Sequence, residues 1–304
     1  MSFTHITFEA GEARMDWLGL CAAFDAGHRL PKAEIADSFL YRTPDTLLSR
    51  AAWIDGLGVA VKSATIFPGN AEAGKPVVGG VVNLLSDTDG SLEAVIDFHL
   101  VTKWKTAGDS LCAALKLAPP KVSRILIVGA GAVAQSLREA YGAGFPEASF
   151  AVWNRTGTRA HDLAERYPGM EVETDLGEAV ASADIVTCAT MSTDPVIRGS
   201  WLRPDQHIDL IGAYRPDMRE ADDVALKRAR IFVDSYDTTI GHIGELKIPL
   251  AGGAITREDV LADYYQPAAF TRAPGDITLF KNGGGAHLDL MTSRYILDLV
   301  RGAA

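Results

Sequence analysis

Three sets of residues in this chain have types and spacings that can carry chemistry, and the first is glycine-rich. Gly129-Ala130-Gly131-Ala132-Val133-Ala134 directly follows the apolar, β-branched run Ile125 to Val128 and leads into helical periodicity through Ala140. Glycine at 129 permits a tight turn, glycine at 131 lets backbone approach a pyrophosphate, and the small Ala134 lets helix and strand pack closely. The amides at the helix N-terminus then face an anion. A second strand, Phe150 to Trp153, follows at the distance expected of a βαβ unit of about 30 residues. The flanks favour dinucleotide binding over a purely structural glycine turn.

The second set follows that strand. Where an NAD site usually places an acidic residue for the ribose 2′-hydroxyl, this chain has Asn154-Arg155-Thr156, with Arg159 one turn later. No carboxylate there repels a 2′-phosphate, and guanidinium groups can pair with it in bidentate fashion. NADP(H) is favoured and NAD(H) stays possible; the competing reading is two solvated arginines at a helix start.

The third set is cationic. Lys62 lies in an apolar run between Val59, Val61, Ala64 and Ile66, and either faces solvent or is held for an anion, the local pattern favouring the former. Lys103, Lys105 and Thr106 stand at what reads as the start of a helix, where cations oppose the macrodipole and hint at a bound anion. Tyr214, Arg215, Asp217, Arg219 and Glu220 follow a strand end; Asp217 is as well suited to capping a helix near Met218 as to catalysis. No histidine pairs with a nucleophile, and no serine or cysteine has an elbow or base arrangement, which argues against hydrolase chemistry.

The elements that position these residues fall into two regions. Up to Pro119-Pro120 the pattern is α+β. An amphipathic helix covers residues 14 to 27. Strands are expected at Phe39 to Arg42 and Thr46 to Trp53 around a turn at Pro44-Asp45, then at Leu57 to Phe67, Val77 to Leu85 and Leu92 to Phe98, with a helix from Thr106 to Leu117. Beyond the prolines, Ala183 to Cys188, His207 to Ile211 and Arg230 to Val233 are apolar runs typical of parallel strands buried on both faces, with helices at Asp175 to Ala181 and Arg219 to Arg228. Such sheets bind ligands outside the carboxyl ends of their strands, so Thr190-Met191, Gly212-Ala213-Tyr214 and the loop after Phe280 are expected to line a crevice. The last helix runs from Ala286 to Val300.

Composition sets outer limits. A formal charge of −10 is the wrong sign for a general nucleic-acid binder, and small molecules fit better as partners. Cys21, Cys112 and Cys188 form no C-x-x-C pair or metal spacing. No apolar run approaches a membrane span and no leader pattern opens the chain, so a reducing cytoplasm is expected and a membrane partner is not.

Taken together, VKSATIFPGN (61 to 70), VTKWKTAGDSLCAALKLA (101 to 118), ILIVGAGAVA, VWNRT, ADIVTCATMSTDPVI (183 to 197), HIDLIGAYRPDMREAD (207 to 222) and DITLFKNGGGAHLDL (276 to 290) resemble the ornithine cyclodeaminase/μ-crystallin family. The resemblance implies a substrate-binding, dimerising antiparallel domain over residues 1–119, completed by the C-terminal helix at about 286–304. It also implies a Rossmann domain over 120–285, with substrate between the two, a homodimer and an α/β fold. Lys62 matches the family lysine at the substrate carboxylate, and Lys105 stands where the family has arginine in R-T-A-A. Asn282 and Gly283 would join them around the substrate. Thr106, Thr190, Met191, Gly212 and Lys281 would join Gly129 to Val133, Asn154, Arg155, Thr156 and Arg159 around the cofactor.

Tyr214 replaces the aspartate that ornithine cyclodeaminases and related alanine dehydrogenases carry after G-[GA]. The GAYRPDMRE segment, with WNRT, is closer to the NADPH-dependent ketimine and Δ1-pyrroline-2-carboxylate reductases of the family. The expected activity is therefore reduction of a cyclic imino acid, with Lys62 and Tyr214 as the catalytic pair. A cyclodeaminase lyase, an alanine dehydrogenase and a non-catalytic NADP(H) carrier are the alternatives.

Overall fold

The computed structural model describes residues 3–302. Met1, Ser2, Ala303 and Ala304, which the expected first domain includes, lie outside the described residues. The chain divides into two units: one runs to Lys105 and resumes at Gly284, and the other runs from Thr106 to Gly283.

The first unit is built on a six-stranded sheet in the order β1-β6-β5-β4-β3-β2. Its strands are β1 (Thr4–Ile6), β2 (Glu34–Arg42), β3 (Asp45–Ile54), β4 (Gly58–Ile66), β5 (Val78–Leu85) and β6 (Leu92–Asp97). Neighbours pair antiparallel except β1, a short strand missing from the sequence reading, which runs parallel to β6. Helices α1 (Phe8–Glu12) and α2 (Trp17–Gly27) precede β2. The Asp16 side chain caps α2 by accepting from the Gly19 amide at 2.5 Å. The C-terminal helix, Ala286–Arg301, packs on β3, β4 and α2 and ends at Gly302 in the left-handed conformation (φ 73°).

Helix α3 (Phe98–Leu117) corrects two expectations. It begins at Phe98 rather than Thr106, so Lys103 and Lys105 lie inside the helix and the macrodipole argument for an anion at its N-terminus falls away. The division between units also falls within α3, after Lys105, and not at Pro119-Pro120. The second half of α3 is tied to the other unit's own elements: Tyr264 Oη donates to the Asp109 carbonyl at 2.7 Å, and Thr278 Oγ1 to the Leu117 carbonyl at 2.9 Å. The proline pair ends the helix without marking the division.

The second unit is an eight-stranded, wholly parallel sheet. Its strands are β7 (Arg124–Val128), β8 (Ser149–Trp153), β9 (Glu171–Val172), β10 (Ile185–Cys188), β11 (His207–Leu210), β12 (Arg230–Val233), β13 (Val260–Ala262) and β14 (Thr278–Lys281). The order β13-β12-β14-β11-β10-β7-β8-β9 reverses direction at β7 and β10, the switch point where open α/β sheets take their ligands. Helices α4 (Ala132–Gly144), α5 (Gly157–Arg166), α6 (Leu176–Ser182), α7 (Asp223–Arg228), α8 (Tyr236–Thr239) and α9 (Gly244–Ala251) connect the strands.

The helix expected over Arg219 to Arg228 is only α7, capped by Asp222, which accepts from the Ala225 amide. Residues before it cannot turn helical because the Glu220 and Ala221 amides donate to the Glu245 carboxylate. Asp217 is therefore no cap; it is exposed and grips Arg215. Among the described residues no helix is long and apolar enough to cross a membrane, and no cluster of metal-ligating side chains occurs.

Candidate functional site

In the first unit Lys62 sits on the covered face of β4, 5% exposed, between Ala60 and Ala64, while Val59 and Val61 take the other face. This contradicts the solvent-facing reading favoured by the local pattern. Alternation alone could not say which face the C-terminal helix covers. Register puts Arg50 of β3 directly opposite Lys62, on the same face.

The Lys62 ammonium donates to Thr102 Oγ1 at 2.8 Å and to Asp289 Oδ1 at 2.9 Å, and stands 4.6 Å from the centroid of the Phe98 ring. Thr102 is positioned in turn by donating to the Phe98 carbonyl at 2.7 Å. One helical turn on, Lys105 is also 5% exposed, donates to the Gly284 carbonyl and has Nζ 3.9 Å from Asp289 Oδ1. Arg50 donates to the same carbonyl at 2.9 Å and lies 3.9 Å from Asp289 Oδ2, while a bidentate pair at 3.2 and 2.6 Å holds it to Asp37.

Three cations from β3, β4 and α3 thus converge on one carboxylate that is 1% exposed. Burial pushes the Lys62 ammonium below its ordinary range, and Asp289 partly restores it. For Asp289 burial pushes upward, but Lys105, Lys62 and Arg50 together win and hold its carboxyl below the usual range.

Arg50 and Asp289 were not among the expected site residues. The signal for Arg50 was countable, since a strand pair joined at Ile54 and Gly58 sets residue 50 opposite 62. For Asp289 it was an acid inside the apolar face of a helix, beside Leu288, Leu290 and Met291.

In the second unit most of the expected cofactor residues lie at the carboxyl ends of β7, β8, β10, β11 and β14, whereas Arg159 lies in α5 and Thr106 inside α3. Gly129 adopts φ +113°, a Cβ on it would lie 2.8 Å from the Ala189 carbonyl oxygen, and its amide donates to the Trp153 carbonyl at 2.8 Å. A Cβ on Gly131 would meet nothing within 4 Å. Gly131 and Ala132 are exposed, Ala130 and Val133 half-buried, and Gly131 caps α4 without a side chain, so the opening amides of α4 have space before them. That is a cradle a dinucleotide pyrophosphate fits.

Asn154 pins the next loop by donating to the Thr156 carbonyl at 2.9 Å, and leaves Arg155, Thr156 and Arg159 exposed. A pocket of about 220 Å³ beside them is lined by Ala130, Gln135, Arg159, Asp162, Leu163 and Arg166.

Glu220, fully buried, joins the ends of β10 and β11. One carboxylate oxygen accepts from Thr190 N and Oγ1 at 2.7 and 2.9 Å, the other from Gly212 N and Ala213 N at 2.6 and 3.2 Å. Glu245 supports it from below through the Glu220 and Ala221 amides. Burial first, and the Glu220 charge second, push Glu245 up to about 7, while Lys281 pulls it back.

Lys281 is therefore not at the surface of the cradle: it is wholly buried, donates to the Leu210 carbonyl at 2.9 Å and serves as counter-ion to these carboxylates. Met191 is exposed at the rim. Tyr214 is 59% exposed in the loop after β11, with the Arg215 guanidinium over its ring.

Asn282 points inward, its amide donating to the Thr106 carbonyl and Ser110 Oγ at 2.9 Å each, so it fastens α3 to the end of β14. A Cβ on Gly283 would lie 2.6 Å from Thr239 Cγ2 and 2.8 Å from Asp234 Oδ1, which accounts for glycine there by packing alone.

Over residues 54–303 the sequence matches the model described as the ornithine cyclodeaminase/mu-crystallin family. The Delta(1)-pyrroline-2-carboxylate reductase of Paracoccus denitrificans (strain Pd 1222) is 48% identical over 306 residues, 98% of this chain and 97% of that protein. Among solved structures, Thermococcus litoralis Delta(1)-pyrroline-2-carboxylate reductase in complex with NADH and L-proline shares the fold. It has a TM-score of 0.89 at 21% identity over 99% of this chain and 98% of that one. An archaeal alanine dehydrogenase dimer with bound NAD gives a TM-score of 0.90 at 25% identity over 99% and 97%.

Proposed function

We propose a function from one premise: the chain belongs to the ornithine cyclodeaminase/mu-crystallin family. It is an oxidoreductase that uses a nicotinamide dinucleotide to reduce a cyclic imino acid, Δ1-pyrroline-2-carboxylate or Δ1-piperideine-2-carboxylate, to L-proline or L-pipecolate. NADP(H) is the preferred cofactor and NAD(H) the lesser one. The observation that carries this reading is the convergence of Arg50, Lys62 and Lys105 on one buried point. The relative at 48% identity supports the choice of substrate class.

A carboxylate next to a carbon–nitrogen double bond is what such a cluster can hold. Arg50, Lys62 and Lys105 neutralise that carboxylate and so fix the orientation of the carbon beside it, converting a diffusional encounter into a positioned one. When bound, a nicotinamide would supply the hydride for the reduction. The Gly131 amide and the opening turn of α4 would hold the pyrophosphate, and Glu220 keeps Thr190 and Gly212 in place at the strand ends. Tyr214 is the exposed hydroxyl assigned to the imine nitrogen, directly or through a water. Lys62 is the alternative acid, since burial eases release of its proton.

The exposed apolar residues Phe39, Leu40 and Tyr41 on edge strand β2, with Trp53 on β3, suit coverage by a second copy of this chain. Cys21, Cys112 and Cys188, buried and in no disulfide among the described residues, suit a reducing cytoplasm.

The test is cofactor oxidation with pyrroline-2-carboxylate, piperideine-2-carboxylate, pyruvate plus ammonium or methylamine, and ornithine in separate reactions. The expected result is turnover of the cyclic imines, with Lys62→Ala lowering kcat/KM at least about 100-fold through loss of a charge-assisted contact and of positioning. Ammonia release from ornithine without added cofactor, or an active Lys62→Ala variant, overturns the reading.

A further inference from the structure

We propose that Glu245 is a positioning residue for the nicotinamide half of the coenzyme: acting through Glu220, it makes the joint between the ends of β10 and β11 depend on whether Glu245 carries a proton. The inference rests on the nicotinamide-reductase reading for its ligand, but its geometry lies wholly within the second unit.

Strand order reverses at β7 and β10. Arg155 and Arg159 follow β8, which assigns the adenosine half to that side of the reversal and the nicotinamide half to the side of β10 and β11. Thr190, Gly212 and Ala213 stand just past those two strands, and theirs is the backbone that Glu220 fastens.

The fastening needs an anion. Thr190 N and Oγ1 donate to one oxygen of Glu220, Gly212 N and Ala213 N to the other, so both lone pairs of each oxygen are taken. A proton on either oxygen would displace a donor. Wholly buried, this carboxylate needs a counter-charge, and Lys281 supplies it while donating to the Leu210 carbonyl at 2.9 Å, on the last residue of β11.

Glu245 is equally buried but less fully bonded. One of its oxygens accepts from the Glu220 amide at 2.6 Å and the other from the Ala221 amide at 3.0 Å, which leaves each a lone pair for a proton. Of the two acids, Glu245 is therefore the one that can be neutral with the network intact. Burial first and the Glu220 charge second push it up to about 7, against the pull of Lys281.

The groups that face this pair come from several elements. Lys281 comes from β14, and the Cys188 thiol from β10, where burial pushes its ionisation well up. Arg219, next in sequence to Glu220, is turned to the Ala221 carbonyl at 3.1 Å and to Asp223 at 2.8 Å. On α9 itself Lys247 is exposed. Asp209 of β11 also feels the Lys281 charge. Lys281 thus answers more than one acid, and a full charge on Glu245 adds to a negative excess.

The sign follows from linkage. In the closed joint Glu245 holds its proton more tightly than at its ordinary value of 4.5. Opening the joint hydrates the carboxylate and returns it toward that value, so ionisation as pH rises through about 7 favours the open joint. A coenzyme whose nicotinamide half needs the closed joint then binds more weakly.

Calorimetry on the full chain tests this with NADPH against 2′-phospho-ADP-ribose, and NADH against ADP-ribose, the second of each pair lacking nicotinamide. In the wild-type protein the ratio of the whole coenzyme's Kd to that of its truncated analogue is expected to rise about 10-fold between about pH 6 and pH 8.5, with its midpoint near 7. The ratio cancels the titration of the 2′-phosphate, which both members of the first pair carry. In Glu245→Gln the ratio is expected to start higher, because one amide acceptor is lost, and to show no step near pH 7. A flat ratio in the wild-type protein overturns the proposal even where the variant fails to fold, and so does a step that survives in the folded variant. The measurement needs no turnover, so a failure of imine reduction and a failure of this inference are separately visible.

Discussion

Glu220 holds Thr190 twice, by the backbone amide at 2.7 Å and the hydroxyl at 2.9 Å, and its other oxygen holds Gly212 at 2.6 Å. This clasp brings the ends of β10 and β11 so close that a Cβ on Gly212 would lie 1.7 Å from the Thr190 carbonyl oxygen. The two loops therefore meet as backbone against backbone, with no room for a side chain.

Glycines 212 and 131 should consequently fail in different ways. Gly212→Ala forces backbone apart and is expected to cost several kcal/mol, about the scale of overpacking or more, seen as a lower Tm. Gly131→Ala meets open space in the free protein, so Tm should hold while the Kd for NADPH, read by calorimetry, rises about 10-fold or more. A stability loss in Gly131→Ala without a change in Kd would contradict the cradle.

Cofactor choice should follow Arg155 and Arg159, which are exposed beside the pocket bounded by Ala130 and Arg166. Replacing both with alanine removes solvent-screened contacts worth about 0.5–1.5 kcal/mol each. The KM for NADPH is expected to rise about 10- to 100-fold while that for NADH changes little. If NADH is the better cofactor of the wild-type protein, the preference proposed for this chain is wrong.

Stability should carry a signature of Asp209. Wholly buried, it accepts from Tyr141 Oη at 3.0 Å and Thr187 Oγ1 at 2.7 Å, and burial pushes it up to about 6 from 3.8. The folded state then binds its proton more tightly than the unfolded state, so this contribution is present below pH 4 and is lost as pH rises through about 6. The full effect is on the order of 3 kcal/mol. His207, held neutral by burial with its pKa near 3, slopes the other way as pH falls below 6.5, so a comparison of variants is needed. The stability of Asp209→Asn relative to wild type should rise between pH 4 and pH 7; a flat difference would argue that Asp209 stays ionised.

Association should depend on β2. Leu40 and Tyr41 are 68% and 73% exposed on an edge strand, and like charges facing across a pairing interface destabilise it. Leu40→Asp with Tyr41→Asp is expected to convert a dimer to monomer in sedimentation while the near-ultraviolet spectrum of each unit persists. A wild-type chain that sediments as a monomer removes the proposal.

Much of the second unit was legible because its signals are local. Gly129, Gly131 and Ala134 follow an apolar strand at fixed spacing, and a turn that needs positive φ or an open approach selects glycine whatever the distant chain does. The strands buried on both faces read as continuous apolar runs. Lys281 was misjudged because a lysine after an apolar strand reads as a surface cation. Its burial becomes visible only when Glu220 and Glu245, which arrive from distant positions, supply compensating charge. The start of α3 was missed for a related reason: Phe98 to Lys105 mixes β-branched, aromatic and charged residues, and packing rather than propensity makes it helical.

By itself the sequence determined the family pattern, the dinucleotide turn and the presence of Lys62 and Lys105, because each is a matter of residue type at short range. Only the tertiary structure decided that those two ammoniums meet Arg50 around Asp289. A strand's alternation defines two faces but does not say which one a helix more than two hundred residues away will cover. Covering the face that bears Lys62 excludes water from it, and in that low-dielectric setting a charge must find its partners or be lost.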